Sequence, residues 1–182
     1  MNKKIIKKHQ AGFTLVELGI VVAIAAVIIG IGLAVVPSIV SSIRANGEVS
    51  DLPTLSTKIR TAWANQPTYG TSGTSITTEA ISLNVFPTAR VTSSTTVSNR
   101  WGGSITVAAG TLNTAGDAQV ITETDVPQTE CTLVVEGVDQ SFPVITVNGT
   151  SVKANGASQV TLATVGTACV SGTNTLAFTA GK

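Results

Sequence analysis

Gly12-Phe13-Thr14-Leu15-Val16-Glu17 joins a lysine-rich leader to a long apolar run. Residues 1–11 carry Lys3, Lys4, Lys7 and Lys8 and no acid, and beyond the hexapeptide no formal charge occurs between Glu17 and Arg44. Residues 18–36 number 19; as a helix they extend about 28 Å, close to the hydrocarbon thickness of a bilayer. One carboxylate therefore stands at the mouth of a membrane-length helix. Mid-bilayer it would cost roughly 2.5–3.5 kcal/mol, and less near an end where it reaches the headgroups. Insertion is tolerable. The cost rises once the segment leaves lipid for a dry helical bundle, unless a cation meets the acid there. Glu17 is read as an acid that awaits a partner, in preference to a solvated flank, because ionisable residues in such segments are mostly functional.

The hexapeptide, its basic leader and the apolar run together resemble the processing site of type IV prepilins. The resemblance implies cleavage by a dedicated prepilin peptidase between Gly12 and Phe13, N-methylation of Phe13, and a role for Glu17 in subunit assembly and register. The chemistry is coherent: cleavage creates an α-amine, whose reference pKa of about 7.7–8.0 leaves it largely cationic at neutral pH. That amine, its own or a neighbour's, is the cation Glu17 lacks. Glycine before the cut leaves room for close approach to the backbone.

Charge and compartment agree with this reading. The 182-residue chain has net charge +1, but four of its eleven bases lie in the leader. Beyond Gly12, seven bases face ten acids, which is not the electrostatic footprint of a direct nucleic-acid binder. Basic residues before the apolar run, with few directly after it, predict a cytoplasmic leader and an exported, periplasmic carboxyl-terminal part. A secretory signal would place its cleavage site after the apolar core; here the leader precedes the core, so the apolar segment is retained. Cys131 and Cys169 both lie in the exported part, and an even pair in an oxidising compartment predicts one disulfide. Closing a 38-residue separation is worth about 4 kcal/mol on the chain-entropy relation. A metal site or a Cys/His nucleophile would need further ligands, and the chain's single histidine, His9, lies in the leader.

Along the chain, a first helix is expected over residues 14–65. Gly19, Ala23, Ala25, Ala26, Gly30, Gly32 and Ala34 permit close helix–helix approach. Pro37 predicts a kink or local unwinding over residues 30–37, and Asp51-Leu52-Pro53 a break or restart. Past Pro37, Ile39, Val40 and Ile43 share one face, and Leu55, Ile59, Ala62 and Trp63 resume helical spacing, so this half is amphipathic. Residues 66–98 are rich in Ser, Thr and Gly and read as an ordered surface connection anchored by Tyr69, Ile76, Ile81, Leu83, Val85 and Phe86, with a short helix over 77–81. Strands are expected over 104–108, 117–122 (weaker), 143–147, 159–163 and 175–179. Asn148-Gly149 is a hairpin turn, which also accounts better for Asn148-Gly149-Thr150 than does glycosylation. A short helix carrying Cys131 begins at Asp125-Val126-Pro127.

This order is α+β and also resembles the pilin fold, in which a long amino-terminal helix packs its exported half on a mostly antiparallel β-sheet and a disulfide closes the carboxyl-terminal region. Trp101-Gly102-Gly103, Val126-Pro127 before Cys131, Val147-Asn148-Gly149 and Ala168-Cys169 look like class b pilins of the bundle-forming and conjugative type. The short leader and Phe13 depart towards class a. The implied organisation is a removed leader (1–12), a transmembrane and filament-core helix (13–36), its amphipathic continuation (37–65) and an exported globular domain (66–182).

The function implied is a structural subunit, held in the inner membrane and then polymerised with itself, by an inner-membrane assembly machinery, into an extracellular pilus. Adhesion, aggregation, motility and conjugation are the uses open to such a filament. A pseudopilin of type II secretion and a minor, tip-located adhesin are the alternatives. No cofactor is implied. Asp125, Glu130, Glu136 and Asp139 read as solvated acids and not as an acid/base pair, and Gly102-Gly103 is too short for a phosphate cradle. Trp63, Tyr69 and Trp101 are assigned to the core.

Overall fold

The computed structural model describes residues 14–182, and the chain divides into two compact units after Val40. Helix α1 (Leu15–Ala62) contributes to both. In the first unit its large apolar side chains, from Leu15 to Val40, are exposed, and this helix contains a stretch long and apolar enough to cross a membrane. The unwinding expected over residues 30–37 does not occur: the helical assignment runs through Pro37 and Pro53 alike. Each proline deletes one backbone donor, the one to the carbonyl four residues before it, and the helix continues past both; nearby hydroxyls make separate local bonds. Ser38 Oγ donates to the Val35 carbonyl at 2.8 Å, and Thr57 Oγ1 to that of Pro53 at 2.9 Å.

The second unit is built on residues 41–62 of α1. Its inward stripe is Ala45, Glu48, Leu52, Leu55, Ser56 and Ile59, with Trp63 just beyond, a spacing of three and four that keeps one helical face inward. The amphipathic half therefore starts at Ala45, not directly after Pro37; Ile39, Val40, Ile43 and Ala62 are exposed. A seven-stranded sheet has the order β1-β2-β3-β4-β7-β5-β6, every pairing antiparallel. Its strands are β1 (Val91–Ser93), β2 (Thr96–Ser98), β3 (Ser104–Thr111), β4 (Ala115–Pro127), β5 (Val144–Val147), β6 (Thr150–Lys153) and β7 (Thr173–Gly181). Ile105 and Val107, Ile121, Ile145 and Val147, and Leu176 and Phe178 join the α1 stripe in one core. Phe142 and Phe178 pack at 5.3 Å between ring centroids.

Three short helices complete the unit: α2 (Thr77–Ser82), α3 (Gln128–Gly137) and α4 (Leu162–Ala168). The connection 66–98 is ordered as expected, with Tyr69, Ile76, Val85 and Phe86 buried; β1 and β2 at its end were not foreseen. The Asn148-Gly149 turn links β5 to β6, with Asn148 at φ 50° and Gly149 at φ 80°, the left-handed pair that a two-residue hairpin demands. The strand expected over 159–163 is absent. Val160 N–H goes to Asp139 Oδ1 at 3.0 Å and Thr161 N–H to the Val152 carbonyl at 3.0 Å. With its donors taken locally, the segment turns into α4.

Candidate functional site

Gly12 and Phe13 lie outside the described residues; Glu17 lies within them, in the first turn of α1. Its Oε2 accepts the Thr14 backbone N–H at 3.0 Å and the Thr14 hydroxyl at 2.9 Å, while the Glu17 N–H donates to Thr14 Oγ1 at 3.3 Å. This is a reciprocal capping box, formed because Thr14 and Glu17 stand three positions apart at the helix start. The acid thus satisfies a helix-end donor of its own chain, and carboxylates are favoured at a helix amino terminus. Its other oxygen, Oε1, makes none of these contacts.

The Cys131–Cys169 disulfide is formed, with 5.9 Å between α-carbons. It ties the first half of α3 to the residue that caps α4. Amides brace the same corner: Asn148 Nδ2 donates to the Ala168 carbonyl at 2.9 Å and to Asn174 Oδ1 at 2.8 Å, and buried Asn174 donates to the Val126 and Val170 carbonyls. The Asn148 amide is therefore a structural strut, which agrees with the hairpin reading of Asn148-Gly149-Thr150.

Two polar clusters were invisible in the sequence. Asp139, expected to be solvated, is buried and pairs with Lys153 Nζ at 3.0 Å; Lys153 also donates to the Asp139 carbonyl. The pairing holds the 154–161 loop through the Asp139–Val160 bond already described. Glu130 is likewise buried. The second cluster lies under α1. Arg90 grips Glu48 with both terminal nitrogens (2.6 and 2.9 Å) and reaches Asp51 at 2.6 Å, and Arg100 reaches Glu48 at 3.2 Å and Asp51 at 2.5 Å. Arg100 lies so close to α1 that a β-carbon on Gly47 would stand 2.6 Å from its guanidinium carbon. Glu48 and Asp51 share a helical face, but nothing in the sequence joins them to bases some 40 to 50 positions on.

Of the aromatic residues assigned to the core, Trp63 and Tyr69 are buried, with ring centroids 6.2 Å apart, whereas Trp101 is half-buried against the core's edge. Trp101-Gly102-Gly103 forms the β2–β3 turn. A side chain on Gly103 would collide with the Thr124 carbonyl, and Asn99 Oδ1 accepts the Gly103 N–H at 2.8 Å.

An apolar helix that opens on a capped acid, followed by a helix-on-sheet head closed by a late disulfide, defines the chain as a type IV pilin, class b-like. The family described as "PilS N terminal" matches residues 42–181, and the prokaryotic N-terminal methylation motif matches residues 7–36. The chain belongs to this PilS pilin family. No curated protein matches it. Among solved structures, it is similar to a type IV b pilin from Salmonella typhi at 26% identity and a TM-score of 0.57, over 73% of this chain and 97% of that one. It shares its fold with TcpA, a type IV pilin from Vibrio cholerae El Tor biotype, at 15% identity and a TM-score of 0.51, over 74% of this chain and 99% of that one.

Proposed function

We propose that this chain is a pilus structural subunit stored in the inner membrane with its carboxyl-terminal unit in the periplasm, cut between Gly12 and Phe13 by prepilin peptidase, methylated on Phe13 and polymerised into a surface filament. The observation that carries the proposal is Glu17 in its setting. It is the only charge in the apolar stretch, it opens a helix whose apolar side chains are exposed, and the methylation motif spans it. Those side chains gain by leaving lipid only if they pack against one another, where small residues allow close approach. Glu17 then needs a cation, and the amine released at Phe13 supplies one. The disulfide and braced corner suit a head that works outside the cytoplasm. Homopolymerisation makes attachment, aggregation, motility and mating available as uses, and a structural role needs no cofactor.

Mass spectrometry of filaments sheared from the cell surface tests the processing step. The expected chain begins at Phe13 and carries one N-methyl group. Filaments built from chains that retain Met1 would overturn the proposal.

A further inference from the structure

Glu123 is a fully buried carboxyl on β4 whose two oxygens find no hydrogen-bond donor. Its partners across the sheet, Ile105 on β3 and Leu176 on β7, are apolar. The charged groups that face it are Glu48 from α1, Arg90 from the 3-10 turn Thr88–Arg90, and Arg100 from the β2–β3 turn. Both arginines are already engaged by Glu48 and Asp51. The cluster therefore holds three carboxyls against two guanidiniums, and it is electrically balanced only if one carboxyl is neutral. An unpaired carboxylate at full burial is among the costliest groups a core can hold, and such a group neutralises instead.

We propose that Glu123 carries a proton at neutral pH and through it donates a hydrogen bond to Glu48, and that rising pH, by favouring loss of this proton, releases the 88–103 segment from α1. One proton turns the contact between two acceptors into a hydrogen bond. Glu48, so held, presents its charge to Arg90 and Arg100, which bring the 3-10 turn and the β2–β3 turn against residues 48–51. Burial is the main influence that pushes the Glu123 carboxyl up; the Glu48 charge and the Glu48 contact act in the same direction, against the pull of Arg90 and Arg100. The sign follows from linkage. A carboxyl raised in the folded state contributes stability that is fully present below the ordinary glutamate value, about 4.3, and lost as pH rises through the folded value. The latch is closed in acid and loosens as pH rises from there towards the folded value.

The test uses the full chain in detergent micelles, wild type and Glu123→Gln. The amide keeps a donor for Glu48 and cannot ionise. Infrared spectra at pH 7 should show a protonated-carboxyl band in the wild type that Glu123→Gln lacks. Amide exchange, corrected for its intrinsic pH dependence, should quicken over residues 91–98 of the wild type as pH rises from the ordinary glutamate value to the folded one, by at least about tenfold, the change that one unit of pKa difference carries. In Glu123→Gln it should stay flat. Absence of the band, or equal quickening in both proteins, would overturn the latch. If Glu123→Gln fails to fold, the wild type decides alone: protection of the 91–98 amides must fall as pH rises while the band persists and level off where the band vanishes, and protection that stays flat across the range in which the band persists refutes the proposal.

Discussion

Replacing both cysteines, Cys131→Ala/Cys169→Ala, removes the covalent closure while leaving the rest of its corner in place. Gln128 Nε2 still donates to the carbonyl of residue 169, and the Asn148 and Asn174 amides still hold the flanking loop. The native state therefore changes little, and the loss falls chiefly on the unfolded chain, which gains freedom. For a separation of 38 residues the chain-entropy relation gives about 13 cal/mol/K, or about 4 kcal/mol at 25 °C. Truncating two buried sulfurs adds to this, so the double variant should lose at least that much. Urea unfolding of the full chain in micelles, followed by tryptophan fluorescence, reads the second unit because Trp63 and Trp101 both lie in it. With a denaturant slope of about 2 kcal/mol/M, the midpoint should fall by about 2 M. A loss under about 1 kcal/mol, or alkylation of both thiols in unreduced native protein, would rule out a stabilising bridge at this corner.

Arg90→Ala leaves Glu48, only 1% exposed, with Arg100 as its remaining ion-pair partner; a buried pair broken on one side costs about 3–5 kcal/mol, to be read by the same urea titration. Asp117 accepts the backbone N–H groups of Leu112, Asn113 and Thr114 at 2.7, 2.8 and 2.8 Å, and these bonds lower its pKa, the Leu112 bond most. Its contribution is present above the ordinary aspartate value and lost as pH falls through the lowered folded value. Protection of the 112–114 amides, corrected for the intrinsic pH dependence of exchange, should therefore fall in acid in the wild type, and in Asp117→Ala should already be low at neutral pH.

The elements best read from sequence were those whose signal is local. The unbroken apolar run after Glu17 and Asn148-Gly149 between β-branched residues each specify structure without help from distant chain. Strand β4 shows where that stops. Its inward residues run Gln119, Ile121, Glu123, so the alternation that marks a half-buried strand is spoiled by two polar groups and the strand reads as weak. Gln119 is buried because its amide donates to the Ser56 carbonyl and hydroxyl at 2.9 and 2.8 Å, partners 63 positions away. The same blindness hid the Glu48–Arg90–Arg100 cluster and the Asp139–Lys153 pair. The 159–163 segment failed in the opposite sense: its β-branched residues suit a strand, but its donors found nearer acceptors in Asp139 and Val152.

In the proposed filament Glu17 acts by its charge, whereas the capping box gives it a second, purely intramolecular use. Glu17→Gln separates the two. Glutamine keeps the carbonyl acceptor that a capping box uses, so the Thr14 contacts, membrane insertion and cleavage should all survive. An amino-terminal cation buried beside a neutral amide instead of a carboxylate loses its partner, and that costs about 3–5 kcal/mol at every subunit. The measurement is the ratio of sheared-filament to membrane-bound protein for wild type and Glu17→Gln. Processed, membrane-resident protein with few or no filaments is expected; a wild-type ratio would leave Glu17 as a helix cap alone.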